Sequence, residues 1–122
     1  MTNDNYATDK SIMDLFEGWF DPCPLNPSFK IDGLNIAWEN KTYCNPPYSK
    51  PLPWINKAIE ENKKGKTIVL LLRMDTSTEW FKRLQENNAK FLWINKRLKF
   101  NTGKPANFPS MLVILNKKEV GK

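Results

Sequence analysis

The chain has 122 residues, 40% of them hydrophobic, and a formal net charge of +6, which is enough for one modest domain with one core. It contains no histidine, which excludes Ser-His-Asp and Cys-His catalysis and histidine-based metal sites; Cys23 and Cys44 lack metal-ligand spacing and read as two reduced packing cysteines of a cytosolic protein. The longest aliphatic run, residues 68–72, is too short to cross a bilayer, and the polar stretch 1–10 does not read as a signal peptide, so we expect a cytoplasmic protein with no membrane or metal partner.

In chain order, residues 11–17 predict a short helix with Ile12, Leu15 and Phe16 on one face and Gly18 as its stop. Trp19-Phe20 reads as a short buried strand running into Asp21-Pro22. Residues 42–44 read as a second strand, ending at Asn45. Pro51 opens a helix that presents Trp54, Ile55, Ala58 and Ile59 on one side and stops at Gly65. Residues 67–72 are continuously apolar and rich in β-branched and leucine side chains, the pattern of a strand buried on both faces. Thr76 or Ser77 then caps a helix whose apolar face is Trp80, Phe81 and Leu84. Two more strands follow, over 90–94 and 111–115.

Strands alternating with helices imply an α/β fold with a mainly parallel sheet. In such sheets ligands bind beyond the carboxyl ends of the strands. Asp21-Pro22-Cys23 and Asn45-Pro46-Pro47-Tyr48 both fall at such ends. Charge is divided along the chain. Residues 1–40 carry two basic and seven acidic side chains, leaving that part at −5 and the remainder at +11. Residues 89–104 hold five basic side chains and no acidic one, which fits either a polyanion-binding face or a solvated lysine-rich surface.

The order Asn-Pro-Pro-Tyr has a specific chemical reading. An exocyclic amine on adenine is a poor nucleophile because its lone pair is delocalised into the ring. Two acceptors aimed at its N–H groups favour a pyramidal nitrogen with a localised pair. Asn45 can offer its side-chain carbonyl and Pro46 its backbone carbonyl, each at about 3 Å. Pro46 and Pro47 fix their own φ and keep the preceding residue extended, so the loop is stiff. Tyr48 offers a flat face for a base extruded from the duplex, worth about 1–3 kcal/mol. Pro-Pro by itself would be only a surface turn.

These blocks together resemble the small, phage-type DNA N6-adenine methyltransferases, Dam-like enzymes that use S-adenosylmethionine (SAM). The likeness runs through Asp14-Leu15-Phe16, Phe20-Asp21-Pro22-Cys23, Asp32-Gly33-Leu34 and the stretch 43–49 around Asn45-Pro46-Pro47-Tyr48, then Trp54-Ile55-Asn56-Lys57-Ala58, the stretch 65–72 and Thr78-Glu79-Trp80-Phe81. It ends with Arg97-Leu98-Lys99-Phe100 and Phe108-Pro109-Ser110. The resemblance implies one small Rossmann-like SAM-dependent methyltransferase domain over 1–122. Its sheet would be mostly parallel with an antiparallel C-terminal strand, and reduced in the region after the first motif. It implies SAM bound by Asp21, Pro22, Cys23 and Asp32, catalysis by Asn45, Pro46, Pro47 and Tyr48, and double-stranded DNA held by Arg97, Lys99 and Phe100, with room for a weak homodimer. Three features depart from the family pattern. Only eight residues separate Cys23 from Asp32, no Gly-x-Gly stands in the first motif, and Leu72-Arg73-Met74-Asp75 replaces a usual Leu-Pro-Ala-Arg.

Plainer readings stand beside these. Asp21 can cap a turn, Asp32-Gly33 is a turn signal, and Phe100 can be core. Trp19, Trp38, Trp54, Trp80 and Trp93 read as packing residues, and Lys57, Lys63, Lys64 and Lys66 as a solvated helix end rather than a DNA clamp. The alternative functions are methylation of RNA or a protein glutamine, or a catalytically reduced SAM- or DNA-binding protein.

Overall fold

A computed structural model describes residues 10–24, 32–47, 49–94 and 109–116. The elements are α1 (Lys10–Met13) running into a 3₁₀ turn (Asp14–Phe16), β1 (Lys41–Cys44), α2 (Leu52–Lys63), β2 (Thr67–Arg73), α3 (Glu79–Glu86), β3 (Lys90–Trp93) and β4 (Ser110–Leu115).

The four strands form one mixed sheet in the order β1-β2-β4-β3. β1 and β2 are parallel, with Cys44 opposite Leu70. β4 is antiparallel to both β2 and β3, so β3 points the same way as β1 and β2. The antiparallel C-terminal strand is therefore present. The expected mostly parallel sheet needs correction at the level of pairing: β4 lies between two strands of common direction, which leaves a single parallel ladder among the four strands. Phe20 extends the parallel part. It bridges to Thr42, its N–H donating to the Lys41 carbonyl at 3.0 Å and its own carbonyl accepting from Tyr43 N–H at 2.9 Å. Trp19-Phe20 thus contributes one bridge rather than a strand.

β2 is central, and alternation along it fills both faces. Ile68, Leu70 and Leu72 pack with Ile55, Ala58 and Ile59 of α2, Trp80, Phe81 and Leu84 of α3, and Trp38. Val69 and Leu71 pack on the other face with Ile12, Tyr43 and Leu112, bordered by Phe16, Trp19, Ile94 and Ile114. Phe16 stacks on Tyr43 with ring centroids 4.6 Å apart.

α2 begins where expected. Pro51 caps it and Pro53 occupies its first turn, where a missing N–H leaves no intrahelical bond unmade. It ends at Gly65, whose φ of +99° suits the residue that turns the chain out of a helix. Two details of the sequence reading are corrected. The first helix is only one α-turn before it tightens into 3₁₀ geometry, and the tighter pitch carries Leu15 off the apolar face, 64% exposed. The cap of α3 is Thr78, whose hydroxyl accepts from Phe81 N–H at 3.2 Å. Ser77 is taken by Asp75, which accepts its N–H at 3.1 Å and its hydroxyl at 2.6 Å, so Thr76 and Ser77 form the turn before the helix.

Trp38 and Trp80 are core, and Trp19 and Trp54 pack partly buried, as read from the sequence. Trp93 differs. It lies on the sheet's edge strand, 52% exposed, stacked on Phe91 at 5.9 Å. Among the described residues no helix is long and apolar enough to cross a membrane.

Candidate active site

Because β1, β2 and β3 share a direction, their carboxyl ends lie along one edge of the sheet. Asp21 follows the Phe20 bridge there, Asn45-Pro46-Pro47 follows Cys44, and Arg73-Met74-Asp75 lies at the end of β2. The start of β4 closes the same edge: Met74 N–H donates to the Pro109 carbonyl at 2.8 Å and Ile94 N–H to the Ser110 carbonyl at 3.2 Å. The two loops singled out in the sequence therefore leave the sheet side by side.

In the Asn-Pro-Pro loop, Asn45 is half-buried, Pro46 buried and Pro47 half-buried. Packing thus adds to the stiffness that the two prolines impose on their own backbone. The Pro47 carbonyl accepts from Lys50 N–H at 3.3 Å, a turn that delivers the chain to Pro51 and α2. Tyr48 lies outside the described residues, as do Arg97, Lys99 and Phe100.

In the first motif, Asp21 is half-buried and its carboxylate accepts the Cys23 N–H at 2.9 Å. Burial pushes its pKa above the ordinary carboxylate value, and the Cys23 N–H offsets only part of that. Among the described residues no cation pairs with it. The turn-capping role weighed from the sequence is real, but it leaves a desolvated carboxylate without a counter-charge. Burial, with the Asp21 charge adding to it, pushes the Cys23 thiol up to about 11. The fully buried Cys44 thiol is also raised well above its ordinary value, by burial first and then by Cys23 and Asp21. Both cysteines are therefore thiols at neutral pH rather than nucleophilic thiolates.

Asp32 and Gly33 are brought against this motif. Asn35 N–H donates to the Asp32 carbonyl at 3.0 Å, and the Asn35 side chain donates to the Asp32 carboxylate at 2.6 Å, which confirms the turn signal. The Asp32 side chain is exposed. Gly33 is buried, and a Cβ there would overlap the Pro22 carbonyl oxygen and sit 2.8 Å from the Trp54 ring. Only glycine permits this approach.

Sequence reasoning did not find what fixes that turn. Trp38 Nε1–H donates to the Gly33 carbonyl at 2.7 Å, and Trp38 N–H donates to Glu61 Oε1 at 2.6 Å. Glu61 has no exposed surface. Lys66 reaches both of its oxygens at 3.2 Å, Lys64 lies at 3.4 Å and Lys57 at 3.7 Å. Burial pushes the Glu61 carboxyl up, but the Trp38 N–H and the lysines, Lys66 foremost, hold it below its ordinary value. Lys57 and Lys66 are thus largely buried partners of a carboxylate, not a solvated helix end. A signal was present: Trp54, Ala58 and Glu61 share one helical stripe, so a charge stood on a face otherwise apolar.

At the end of β2, Arg73 pairs with Asp75 at 3.4 Å. The Ser77 hydroxyl, then the Ser77 N–H, hold Asp75 below its usual value, with Arg73 contributing. Ser110, opposite Arg73, is fully buried, and its hydroxyl has no hydrogen-bond partner among the described residues.

A stiff Asn-Pro-Pro loop beside a half-buried carboxylate that no cation pairs among the described residues marks the carboxyl edge of this α/β domain as its candidate ligand site. Comparison with known proteins makes this specific. A model of the DNA N-6-adenine-methyltransferase (Dam) family matches residues 12–119. A DNA N-6-adenine-methyltransferase of Haemophilus phage HP1 is 39% identical over 139 residues, spanning 94% of this chain and 80% of its own. A protein of the same description from Escherichia phage T1 is 41% identical over 78 residues, covering 62% of this chain and 33% of the T1 protein. No solved structure matches the chain. The chain belongs to the DNA N-6-adenine-methyltransferase family, a family of enzymes that methylate DNA.

Proposed function

We propose that the chain transfers a methyl group from SAM to the N6 amine of an adenine turned out of duplex DNA, at the carboxyl edge of its sheet. The observation that carries this reading is the placement of Asn45-Pro46-Pro47 at the end of β1, next to Asp21-Pro22-Cys23, in a chain of this family. When bound, SAM supplies an electrophilic methyl group on a sulfonium centre.

The residues present fit that ligand. A carboxyl group whose pKa burial raises, with no cation beside it among the described residues, favours a cationic partner, and SAM carries positive charge on sulfur and on its amino group. Asp21, Pro22 and Cys23 hold the cofactor in this reading, and the tight approach of Gly33 to Pro22 sets Asp32 beside them. The chain is read as one Rossmann-like domain, shortened between the first motif and the Asp32 turn, acting in the cytoplasm of a bacterium or phage-infected cell.

The chain's own residues act on the amine. Asn45 Oδ1 and the Pro46 carbonyl accept its two N–H bonds and expose its lone pair to the methyl group. Bound SAM would give up its methyl group with the C–S bonding pair left on sulfur, and the methylated nitrogen would release one proton to water. No general base is needed, which suits a chain without histidine. Neither cysteine serves as a nucleophile, since both thiols stay protonated. Tyr48 and Phe100 flank the extruded base, and Arg97 and Lys99 meet the backbone phosphates.

The test is to incubate the protein with SAM labelled in its methyl group and unmethylated duplex DNA, then identify the modified nucleoside by mass. N6-methyladenine is expected. Labelled cytosine would change the target base, and unlabelled DNA alongside intact SAM binding would refute the DNA reading.

A further inference from the structure

We infer that Trp38 and Glu61 are positioning residues for the cofactor: Glu61 fixes Trp38, and Trp38 fixes the Gly33 turn against Pro22, between Asp21 and Cys23. The inference rests on the cofactor reading above.

Residues 32–38 belong to no helix or strand, so side-chain and turn bonds must set their place. The turn's own bonds, Asn35 to Asp32, define its shape but do not attach it to anything. Attachment comes from two contacts. Gly33 closes on the Pro22 carbonyl and Trp54, in the first turn of α2. Trp38 N–H closes on Glu61, in the last turn of α2. The indole joins the two by donating back to the Gly33 carbonyl at 2.7 Å. Two hydrogen bonds thus run along α2 from a carboxylate near the amino edge of the sheet to the Gly33 carbonyl, and the close approach of Gly33 to Pro22 carries the chain of contacts on to the first motif at the carboxyl edge.

A merely structural role accounts poorly for this arrangement. Replacing such a cluster as a whole, the carboxylate together with its lysines, by apolar residues of similar size is often neutral or stabilising, so stability alone does not call for it. What leucine at 61 cannot do is accept the Trp38 N–H at 2.6 Å. The carboxylate therefore specifies where Trp38 sits, and the indole N–H specifies where Gly33 sits. A first motif displaced by about an ångström would lose productive contact with a bound ligand.

The decisive variant is Trp38→Phe in the full chain, which keeps a buried ring and removes the Nε1–H. Three quantities are measured: SAM affinity by calorimetry, DNA affinity without SAM, and thermal unfolding. The expected result is SAM binding weakened about tenfold, DNA affinity changed less than twofold and unfolding still cooperative. Glu61→Gln is the second variant. It retains an acceptor for the Trp38 N–H but loses the lysine ion pairs that hold that acceptor in place, so it should raise the KM for SAM with kcat changed less than twofold, and bind SAM more tightly than Glu61→Leu. Unchanged SAM affinity in Trp38→Phe, or equal losses of SAM and DNA affinity, would overturn the inference. So would a fall in kcat at constant KM for Glu61→Gln. If the unaltered protein did not bind SAM, the cofactor reading would fail first and this inference with it.

Discussion

The two ends of the sheet hold two partly or wholly buried carboxylates treated in opposite ways. At the amino edge, Glu61 is wholly buried, has an N–H on one oxygen and lysines around both, and is held ionised. At the carboxyl edge, Asp21 is half-buried, has one N–H and no cation among the described residues, and is pushed toward its neutral form. The difference separates a carboxylate whose interactions the fold completes from one that, under the proposed function, a bound cofactor would complete. Perturbed groups of the second kind mark functional sites because their destabilisation is relieved on binding.

Glu61→Leu should have the largest effect. Removing the carboxylate leaves Lys57 and Lys66 largely buried without their counter-charge and the Trp38 N–H without its acceptor, a loss of about 3 kcal/mol in denaturant unfolding. Gly33→Ala comes next. The added methyl meets the Pro22 backbone, which cannot swing aside as a side chain can, so a loss of about 2 kcal/mol is expected together with weaker SAM binding. Asp21→Asn should move the other way. It keeps an acceptor for Cys23 N–H and removes the desolvated charge, so the folded state should gain about 1 kcal/mol at neutral pH while SAM binding is lost. Trp93→Ala, half-exposed on the edge strand, should cost least in stability, less than about 1 kcal/mol.

The same contrast predicts opposite pH signatures. Glu61 has its folded pKa lowered, so its contribution is present above the ordinary value of 4.5 and lost as pH falls through the folded pKa. Glu61→Gln should therefore flatten the loss of stability below that point. Asp21 has its folded pKa raised. Its contribution is present below the ordinary 3.8 and lost as pH rises through the folded pKa, so the advantage of Asp21→Asn should appear only as pH rises through that range. Melting temperatures across pH 3–7 check both signs; parallel profiles for the two variants would contradict the contrast.

Much of this fold is written in local patterns. The continuous apolar run of β2, the proline-opened α2 and the stripe Trp80-Phe81-Leu84 each read directly, because period and capping are properties of short windows. The strand-end position of Asn45 follows from the same patterns, while the catalytic role proposed for it rests on the chemistry of Asn-Pro-Pro-Tyr and the resemblance. The ladder pattern does not read locally. That β4 would insert between β2 and β3 depends on pairing between segments about forty residues apart, which no window contains. Leu15 and the cap of α3 were misplaced for a smaller reason: a 3₁₀ turn and an Asp75-Ser77 turn each shift the phase of a helix by one or two residues. Trp38 reads as core, but its bond to Glu61 does not, because a lysine-rich helix end looks solvated until its buried partner is known.

The most direct test of the account is single-turnover methyl transfer by Asn45→Ala, with SAM affinity measured on the same preparation. If Asn45 accepts the adenine amine, transfer should fall by about 10²–10³-fold, while SAM binds within twofold of the unaltered protein. Transfer retained within tenfold, or a loss of SAM binding that accounts for the whole defect, would contradict the assignment of catalysis to the loop at the end of β1.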